Sequence, residues 1–438
     1  MEKTINIAVV PGVGYSHLVP ILQFSKLLVH LHPYIHVTCL IPILGSPPSS
    51  SKAILQTLPS NINYTFLQPV HPKDLLPQVE ALDFAKEFNM LSYMYYPGSA
   101  TTLALSFYLP KLDEETSCEY RDLPEHIKIP GCIPFHGRDI YAPAQDRSIQ
   151  AYKLLLQLVK RFHFADGVIG NSFLEIEKGP IEALAEEGSD NPPVYPVGPI
   201  ISTVTSSGDD ANRGLECLTW LDKQQPCSVL YVSFGSGGTL SQEQIVELAF
   251  GLESSNHKFL WVVRAPSSSS SSAAYLSNSA QNDVDVDLSQ FLPPGFMERT
   301  KEQGMVIPSW APQIQILSHK SIGGFLSHCG WNSILESVMH GVPLITWPLY
   351  AEQRMNAILP SQGLKVGIRP RVNENGIVER VEVSELIKCL MEGEESEKLC
   401  NRMKKLKENA INALKEYGSS TKTISQLAIK WRNMMQEN

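Results

Sequence analysis

Long apolar runs and long basic runs are both missing from this 438-residue sequence. No apolar run approaches the ~18 residues that a membrane-spanning helix needs, which argues against a membrane protein. A net charge of −9 without a long basic run argues against nucleic acid and anionic membranes as partners. Residues 1–10 are too polar at their start for a secretion signal and predict a first strand. We therefore expect a soluble, cytoplasmic protein.

Paired cysteines are also missing. The eight cysteines are scattered, with no C-x-x-C pair and no His/Cys cluster at zinc spacing. This pattern predicts free thiols and no structural zinc site.

Short apolar runs alternate with helical patterns, which is typical of α/β folds with a parallel sheet. The predicted strands form two series: Ile5–Val10, Ile35–Ile41, Tyr64–Leu67, Leu91–Tyr96, Gly167–Gly170 and Val194–Val197, and then Val229–Phe234, Phe259–Val263, Gly324–Ser327 and Leu344–Trp347. A Ser/Thr/Gly/Asp-rich stretch separates the series, as an interdomain linker would. We predict a first domain at 1–200, a linker at 201–215 and a second domain at 216–420.

The first glycine-rich turn, PGVGYSHLVP, follows the first strand. Gly12 and Gly14 fit the dinucleotide fingerprint G-x-G-x-x-G, but His17 replaces the third glycine, and no acidic residue is suitably placed about twenty residues on. Both features argue against an NAD oxidoreductase. His17 instead lies at a helix start beside the carboxyl end of a strand, where open α/β sheets bind ligands. The alternative is a capping or solvent-facing histidine.

The second glycine-rich turn, SFGSGGTL, opens the other series. Its glycines permit close approach of a ligand to the backbone, and Ser236 could donate to a phosphate. The turn lacks G-K-[ST], so it is not a nucleoside-triphosphate P-loop.

The segment FLSHCGWNSILESVMHGVP joins a strand to a helix through polar residues. We expect the strand to end at His328, the helix to begin near Asn332, and Gly341 to close it. The free N–H groups and dipole of such a helix start bind anions without a metal. His328, Asn332 and Ser333 add side-chain donors, so a diphosphate fits. The alternative is a simple capping box formed by Ser333 and Glu336.

The longer stretch WAPQIQILSHKSIGGFLSHCGWNSILESVMHGVPLITWPLYAEQ runs from Trp310 to Gln353. It resembles, without a gap, the plant secondary-product box of the family 1 UDP-glycosyltransferases. LPKLDEETSCEYRDLPEHIKIPGC, VYPVGP, VLYVSFGSGGTL and FLPPGF are similar to the hydroquinone/phenylpropanoid branch of that family. The resemblance implies two Rossmann-like α/β domains facing across a cleft (GT-B type), with the acceptor mostly on the first and the nucleotide sugar on the second. It also implies that a terminal helix, 421–438, packs back on the first domain.

The resemblance further implies roles for individual residues. Trp310 would stack on uracil, and the backbone of Ala311 would pair with its edge; Gln313 and Glu336 would hold the ribose; Ser236, His328, Asn332 and Ser333 would hold the diphosphate; Trp331, Glu352 and Gln353 would contact the sugar. A final Gln353 points to glucose rather than galactose. Core packing is the alternative for Trp310 and Trp331.

The donor would be UDP-glucose, with no metal and no other cofactor. The D-x-D pattern at Asp283–Asp287 follows a serine-rich insertion, an unsuitable place for a metal site.

One part of the family pattern is missing. Family members carry an Asp that orients the histidine equivalent to His17, in a motif like V-V-D-x-F, but here HPKDLLPQ passes directly to VEALDFAKEF. A strand–helix–strand unit takes ~30 residues or more, so we predict that one strand-helix segment is missing near residues 78–79. Either the neighbouring strands close together or unpaired sheet edges remain. Asp83 and Glu80 are the candidate replacements for the Asp.

The expected function is that of an inverting glucosyltransferase. His17 would take the proton of a small phenolic acceptor of hydroquinone, phenylpropanoid or flavonoid type. Tyr95, Tyr96 and Phe135 could line the acceptor pocket, although an apolar core claims such residues as often. We expect a monomer with only small-molecule partners. The alternative is a UDP-sugar-binding protein with little or no catalysis.

Overall fold

The computed structural model describes residues 4–12, 15–43, 54–69, 77–186, 190–201, 209–266 and 288–437. The chain is an α/β protein with parallel sheets, as predicted, and its contacts divide it into two compact units. The first unit contains Met1–Arg138, Pro143–Val204 and Asn409–Asn438, and the second contains Asp139–Ala142 and Thr205–Glu408.

The unit boundaries can be compared with the predicted domains. The junction between residues 204 and 205 lies inside the predicted linker 201–215, although a helix already begins at Asp209. The chain returns to the first unit at Asn409, before the predicted residue 421. The terminal helix, Ser419–Glu437, therefore belongs to the first unit.

Six strands and six helices make up the described framework of the first unit. The strands are β1 (Ile5–Val9), β2 (Ile35–Ile41), β3 (Ile62–Phe66), β4 (Tyr93–Tyr96), β5 (Gly167–Gly170) and β6 (Val194–Pro196). The helices are α1 (Tyr15–Leu31), α2 (Pro77–Glu87), α3 (Ala100–Glu115), α4 (Gln150–Arg161), α5 (Lys178–Leu184) and the terminal α14 (Ser419–Glu437). Short 3₁₀ turns at 120–122 and 162–164 complete the connections.

The strands of this unit form two parallel sheets of three strands each, in the orders β1-β2-β3 and β4-β5-β6. Within the described part of the chain, β1 pairs with β2 alone and β4 pairs with β5 alone. Among the described residues the structure has the second of the two predicted outcomes, in which sheet edges stay unpaired. One apolar core nevertheless includes Ile35 of the first sheet and Ile169 of the second.

The second unit is one larger α/β layer. Its strands are β7 (Val229–Ser233), β8 (Lys258–Val263), β9 (Gly304–Pro308), β10 (Ile322–Ser327), β11 (Leu344–Thr346) and β12 (Gly367–Ile368). Its helices are α6 (Asp209–Asp222), α7 (Gln242–Ser255), α8 (Phe296–Thr300), α9 (Gln313–Leu317), α10 (Trp331–His340), α11 (Gln353–Asn356), α12 (Arg380–Met391) and α13 (Gly393–Leu414). A 3₁₀ turn at 288–290 and a π-helical turn at Leu359–Gly363 also belong to this unit. The 3₁₀ turns at 137–139 and 142–144 each contain residues assigned to both units.

The six strands of the second unit are all parallel, in the order β12-β11-β10-β7-β8-β9. The chain moves outward from β7 in one direction and then from β10 in the other, so the order reverses between these two strands. Every residue of β7 is buried, as a central parallel strand requires. In open α/β sheets ligands bind beyond the carboxyl ends of the strands at such a reversal. The two loops that follow β7 and β10 are therefore the place to look for a site.

Two composition-based predictions can be compared with the structure. No described helix is both long enough and apolar enough to cross a membrane. All eight cysteines lie in the described ranges and are free, as predicted.

Candidate functional site

The joint after β10 is a sharp turn into α10. Ser327 ends the strand, Cys329 takes a left-handed conformation (φ 65°), and Gly330 is the N-cap residue. Gly341 closes the helix in the left-handed conformation (φ 77°), as predicted. No side chain caps the first turn of α10, so its N–H groups are open to an anion. The capping box considered for Ser333 and Glu336 does not form, because Gly330 rather than Ser333 occupies the N-cap.

His328 is held between two glycines. A Cβ added at Gly235 would lie 2.5 Å from Cε1 of His328, and one added at Gly330 would lie 2.6 Å from Nε2. Gly235 also has a positive φ of 74°, so it has two reasons to lack a side chain. The glycine-rich turn after β7 and the joint after β10 therefore meet at this imidazole.

The imidazole of His328 is neutral in this setting. Burial lowers the pKa of His328 to about 4, because desolvation disfavours the charged form. Its Nδ1 atom is buried without a hydrogen-bond partner among the described residues. At neutral pH the ring can donate one N–H and adds no net charge.

A second polar cluster lies beside this joint. Gln313, the first residue of α9, donates through Nε2 to Ser333 Oγ at 3.0 Å and to Glu336 Oε2 at 2.6 Å. Tyr231 donates from its hydroxyl to Gln313 Oε1 at 3.4 Å. Burial raises the pKa of Glu336 to about 7, and the hydrogen bond from Gln313 acts in the opposite direction. The cluster therefore contains a carboxyl group that titrates near neutrality.

The two predicted tryptophans have different environments. The side chain of Trp310 is 37% exposed, and the next residue, Ala311, is buried with its backbone leading directly into α9. An exposed indole is an available stacking surface. Trp331 is only 3% exposed, so the core-packing alternative fits this residue and not Trp310.

Glu352 and Gln353 lie at the start of α11. The Oε1 atom of Gln353 accepts from the backbone N–H groups of Leu349 at 2.9 Å and Tyr350 at 3.0 Å. Burial raises the pKa of Glu352. Asn356 donates to Glu352 Oε1 at 3.4 Å and to the Cys329 carbonyl at 3.1 Å. Asn356 thus ties this helix to the joint after β10, a role that the sequence pattern did not indicate.

Arg264 is another residue that the sequence analysis missed. It directly follows β8, and Nη1 donates to the carbonyl oxygen of Ser236 in the glycine-rich turn. Its Nε is buried without a partner among the described residues. Ser236 itself is exposed. In the sequence, the signal for Arg264 would have been a basic residue directly after the strand that pairs with β7.

The first unit supplies the predicted base and acceptor residues. His17 is the third residue of α1, directly after β1 and its turn, but its side chain lies outside the described residues, as does that of Glu80. Asp83 is paired with Arg161 at 3.4 Å. Of the two candidate replacements for the missing Asp, this one therefore already has a cationic partner.

The three predicted acceptor residues have structural partners. The Tyr95 ring lies 5.6 Å from the Phe24 ring of α1, and the Tyr96 hydroxyl donates to Thr102 Oγ1 at 3.1 Å. Phe135 is 2% exposed, so it offers no surface to an acceptor. The core alternative therefore suits Phe135.

No group of three or more His, Cys, Asp or Glu side chains that could hold a metal ion occurs among the residues that the structure describes. Asp283–Asp287 lies outside those residues.

Comparison with known proteins connects this geometry to a chemistry. Residues 210–366 match the family model described as UDP-glucoronosyl and UDP-glucosyl transferase. The chain is 48% identical to hydroquinone glucosyltransferase of Rauvolfia serpentina, covering 99% of each chain, and 46% identical to UDP-glycosyltransferase 72B1 of Arabidopsis thaliana, covering 98% of this chain and 97% of that protein. The first alignment has 473 positions, whereas this chain has 438 residues. At least 35 positions of that relative therefore have no counterpart here.

Two solved structures are also similar to this chain over nearly its whole length. A structure of UGT2 of Phytolacca americana, complexed with UDP-2fluoro-glucose and pterostilbene, is 42% identical with a TM-score of 0.86 and covers 98% of this chain and 100% of that chain. A UDP-glucosyltransferase of Polygonum tinctorium, in complex with 3,4-dichloroaniline, is 41% identical with a TM-score of 0.88 and covers 98% and 99%.

Proposed function

Because the chain belongs to the plant family 1 UDP-glycosyltransferases, we propose that it transfers glucose from UDP-glucose, with inversion, to a hydroxyl group of a small phenolic acceptor. One observation carries the donor half of this proposal. His328 lies between Gly235 and Gly330 beside the uncapped start of α10, where the strand order reverses. That place is suited to a diphosphate.

Each part of the donor has candidate partners in the second unit. We assign the diphosphate to His328, Asn332, Ser333 and Ser236, and uracil to the exposed face of Trp310 and the backbone of Ala311. The ribose hydroxyls then fall to Gln313 and Glu336, which already form one hydrogen-bonded cluster. The sugar would then contact Glu352, Gln353 and the backbone of Trp331.

The reaction that we propose is a single displacement. An acceptor oxygen forms a bond to the anomeric carbon while the bond from that carbon to the phosphate oxygen breaks, and UDP leaves with the electron pair. His17 takes the acceptor proton as general base. The start of α10 and His328 stabilise the charge that develops on UDP.

Turnover is the direct test of this proposal. UDP-glucose and hydroquinone, incubated with the protein, should yield a β-glucoside, since inversion converts the α-linked donor into a β-linked product. A retained α-linkage would contradict the mechanism. The shortfall of at least 35 aligned positions favours a second candidate, a UDP-sugar-binding protein without turnover. Binding of UDP with no glucoside from any phenol would support that candidate.

We expect Gly235→Ala to lower UDP affinity at least tenfold, because the added methyl displaces His328. Gly376→Ala is the matched control. Its φ is 76°, close to the 74° of Gly235, but no atom lies within 4 Å of the added Cβ. Both variants should lose about 1 kcal/mol of stability from backbone strain, and calorimetry with UDP should separate them. Equal affinities would contradict the packing argument.

We also expect UDP affinity to fall as the pH drops below about 7. With its pKa raised to about 7, Glu336 is mostly protonated at pH 6, and only the carboxylate accepts from two ribose hydroxyls. Below that pKa the affinity should fall by up to tenfold per pH unit. His328, with a pKa of about 4, does not titrate in this window.

Calorimetry between pH 5.5 and 8 measures this dependence. Glu336→Gln serves as the control, because protonation of UDP itself affects both proteins equally. We expect the variant to show the shallower profile. Parallel profiles would show that Glu336 does not hold the ribose.

A further inference from the structure

We propose that the first unit binds a strand-helix segment of another polypeptide at the open edge, by which we mean the backbone edges of β1 and β4 that no described strand pairs with. The bound strand would lie between the two three-stranded sheets and pair with both. This interaction is separate from the proposed transfer reaction, and its test does not depend on turnover.

Backbone groups are available along both sides of the open edge. Ile5 donates its N–H to the Tyr34 carbonyl just before β2. Because successive residues of a strand point to opposite sides, the backbone groups of Asn6 and Ala8 point away from β2. No described strand pairs with them there.

The same alternation applies to β4. The carbonyls of Ser92 and Tyr96 accept from Asp166 and Asn171 on the β5 side. The backbone groups of the intervening odd-numbered residues therefore point away from β5, again with no strand paired among the described residues. Unpaired strand edges of this kind are templates for a further strand.

Side chains from both sheets pack in one core. The Phe24 ring of α1, which packs on the first sheet, lies 5.6 Å from the Tyr95 ring of β4. Trp431 of α14 lies 5.3 Å from Tyr93 of the same strand. Ile5 of β1 is in the apolar core that also contains these contacts. Packing on both sheets thus keeps the open edge within one compact unit.

One face of β1 is exposed in the described part of the chain. Asn6 and Ala8 are exposed, whereas β7, which opens the second unit's sheet, is buried at every position. Parallel strands are normally covered on both faces. Between β3 and β4 in the chain, Phe84 of α2 is 58% exposed, and Phe88, which directly follows α2, is 66% exposed. Large apolar groups in the part of the chain that joins β3 to β4 are therefore exposed.

The occupant follows from the comparison of lengths. The Rauvolfia serpentina relative has at least 35 aligned positions that this chain lacks, and a strand with its crossover helix takes about 30 residues. The shortfall predicted from the sequence near residues 78–79 lies between β3 and β4. One strand with its crossover helix matches that shortfall and would offer a strand to the open edge. A strand-helix segment is therefore the expected partner.

The test uses the full chain and a synthetic peptide with the sequence of the Rauvolfia serpentina enzyme between its counterparts of Gln78 and Val79, where the sequence predicts the missing segment. We expect binding with a Kd of roughly 10–100 µM, because a segment that folds on binding loses affinity to ordering. A scrambled peptide of the same composition should bind at least tenfold more weakly. Fluorescence anisotropy of the labelled peptide measures both.

Ala8→Pro tests the location of the site. Proline removes an N–H that points into the gap and leaves the β1–β2 hydrogen bonds in place, as proline does on an edge strand. We expect at least tenfold weaker peptide binding, with UDP affinity unchanged. Ala8→Ser retains the N–H and should bind the peptide like the parent protein. Unchanged UDP affinity also shows that the proline variant is folded in its second unit, and circular dichroism checks the first.

Three outcomes would overturn the proposal. The first is no binding at 100 µM peptide by a protein that still binds UDP. The second is equal binding of the scrambled peptide or equal binding by Ala8→Pro. The third is dimerisation of the free protein that Ala8→Pro abolishes, because a second copy would then occupy the open edge.

Discussion

Replacing His328 and Ser333 together by alanine should weaken UDP binding by about 10²–10⁴-fold while the protein stays folded. Each side chain donates to a charged diphosphate in the proposed complex. Hydrogen bonds to charged groups contribute about 1.5–3 kcal/mol each, and about 1.4 kcal/mol corresponds to a tenfold change in affinity. The two losses together give the expected range.

The structure explains why these two positions matter more than a typical surface pair. Ser333 is in the first turn of α10, whose N–H groups no side chain caps. His328 is fixed between Gly235 and Gly330. Its side chain therefore loses little conformational entropy when a ligand binds. Its ring is neutral at pH 7, since its pKa is about 4. The expected loss is therefore that of a directed hydrogen bond rather than of a charge.

A double variant of the same residue types provides the control. Ser254 lies near the end of α7, and His257 directly precedes β8, at the amino ends of the strands and away from the joint. Ser254→Ala with His257→Ala should leave UDP affinity within about twofold. Calorimetry with UDP, in the presence and absence of a chelator, measures all three proteins. The interpretation fails if the His328/Ser333 variant binds normally or if the chelator abolishes binding to the parent protein.

The strand pattern predicted most of the scaffold around this site. Ile35–Ile41 and Gly167–Gly170 have the predicted bounds. The first alternates between buried and more exposed residues and the second is a short run buried throughout, and both patterns are typical of strands. Gly304–Pro308 and the two-residue strand Gly367–Ile368 were not predicted. Both contain glycine and are too short or too irregular for a periodic signal.

The site was predictable only in part, for a physical reason. The box from Trp310 to Gln353 is continuous in sequence, so its members could be identified together. Arg264 reaches the glycine-rich turn through a neighbouring strand, and that contact depends on strand order rather than on spacing. Phe135 was predicted to line a pocket but is buried in the structure. The sequence does not distinguish an aromatic residue in a pocket wall from one in a core.

The second large effect concerns the acceptor. We expect the transfer rate to depend steeply on the acidity of the acceptor, with acidic phenols and thiols preferred. A phenol with a pKa near ~10 must lose its proton during attack and depends on a positioned base. The sequence lacks the family's V-V-D-x-F motif, and Asp83 is already paired with Arg161. A base without an orienting carboxylate assists weakly acidic acceptors less.

The measurement is kcat/KM for a series of substituted phenols of graded pKa, compared with the same series on the Rauvolfia serpentina enzyme. This chain should show the steeper loss of rate as the phenol becomes less acidic. His17→Ala should lower the rate about 10²–10⁴-fold for the least acidic phenol and much less for a nitrophenol that is already ionised at the assay pH. UDP affinity should not change, which separates a lost base from a damaged donor site. Equal slopes for the two enzymes would mean that another group orients His17, and a uniform loss across the series in His17→Ala would mean that the histidine does not act as the base.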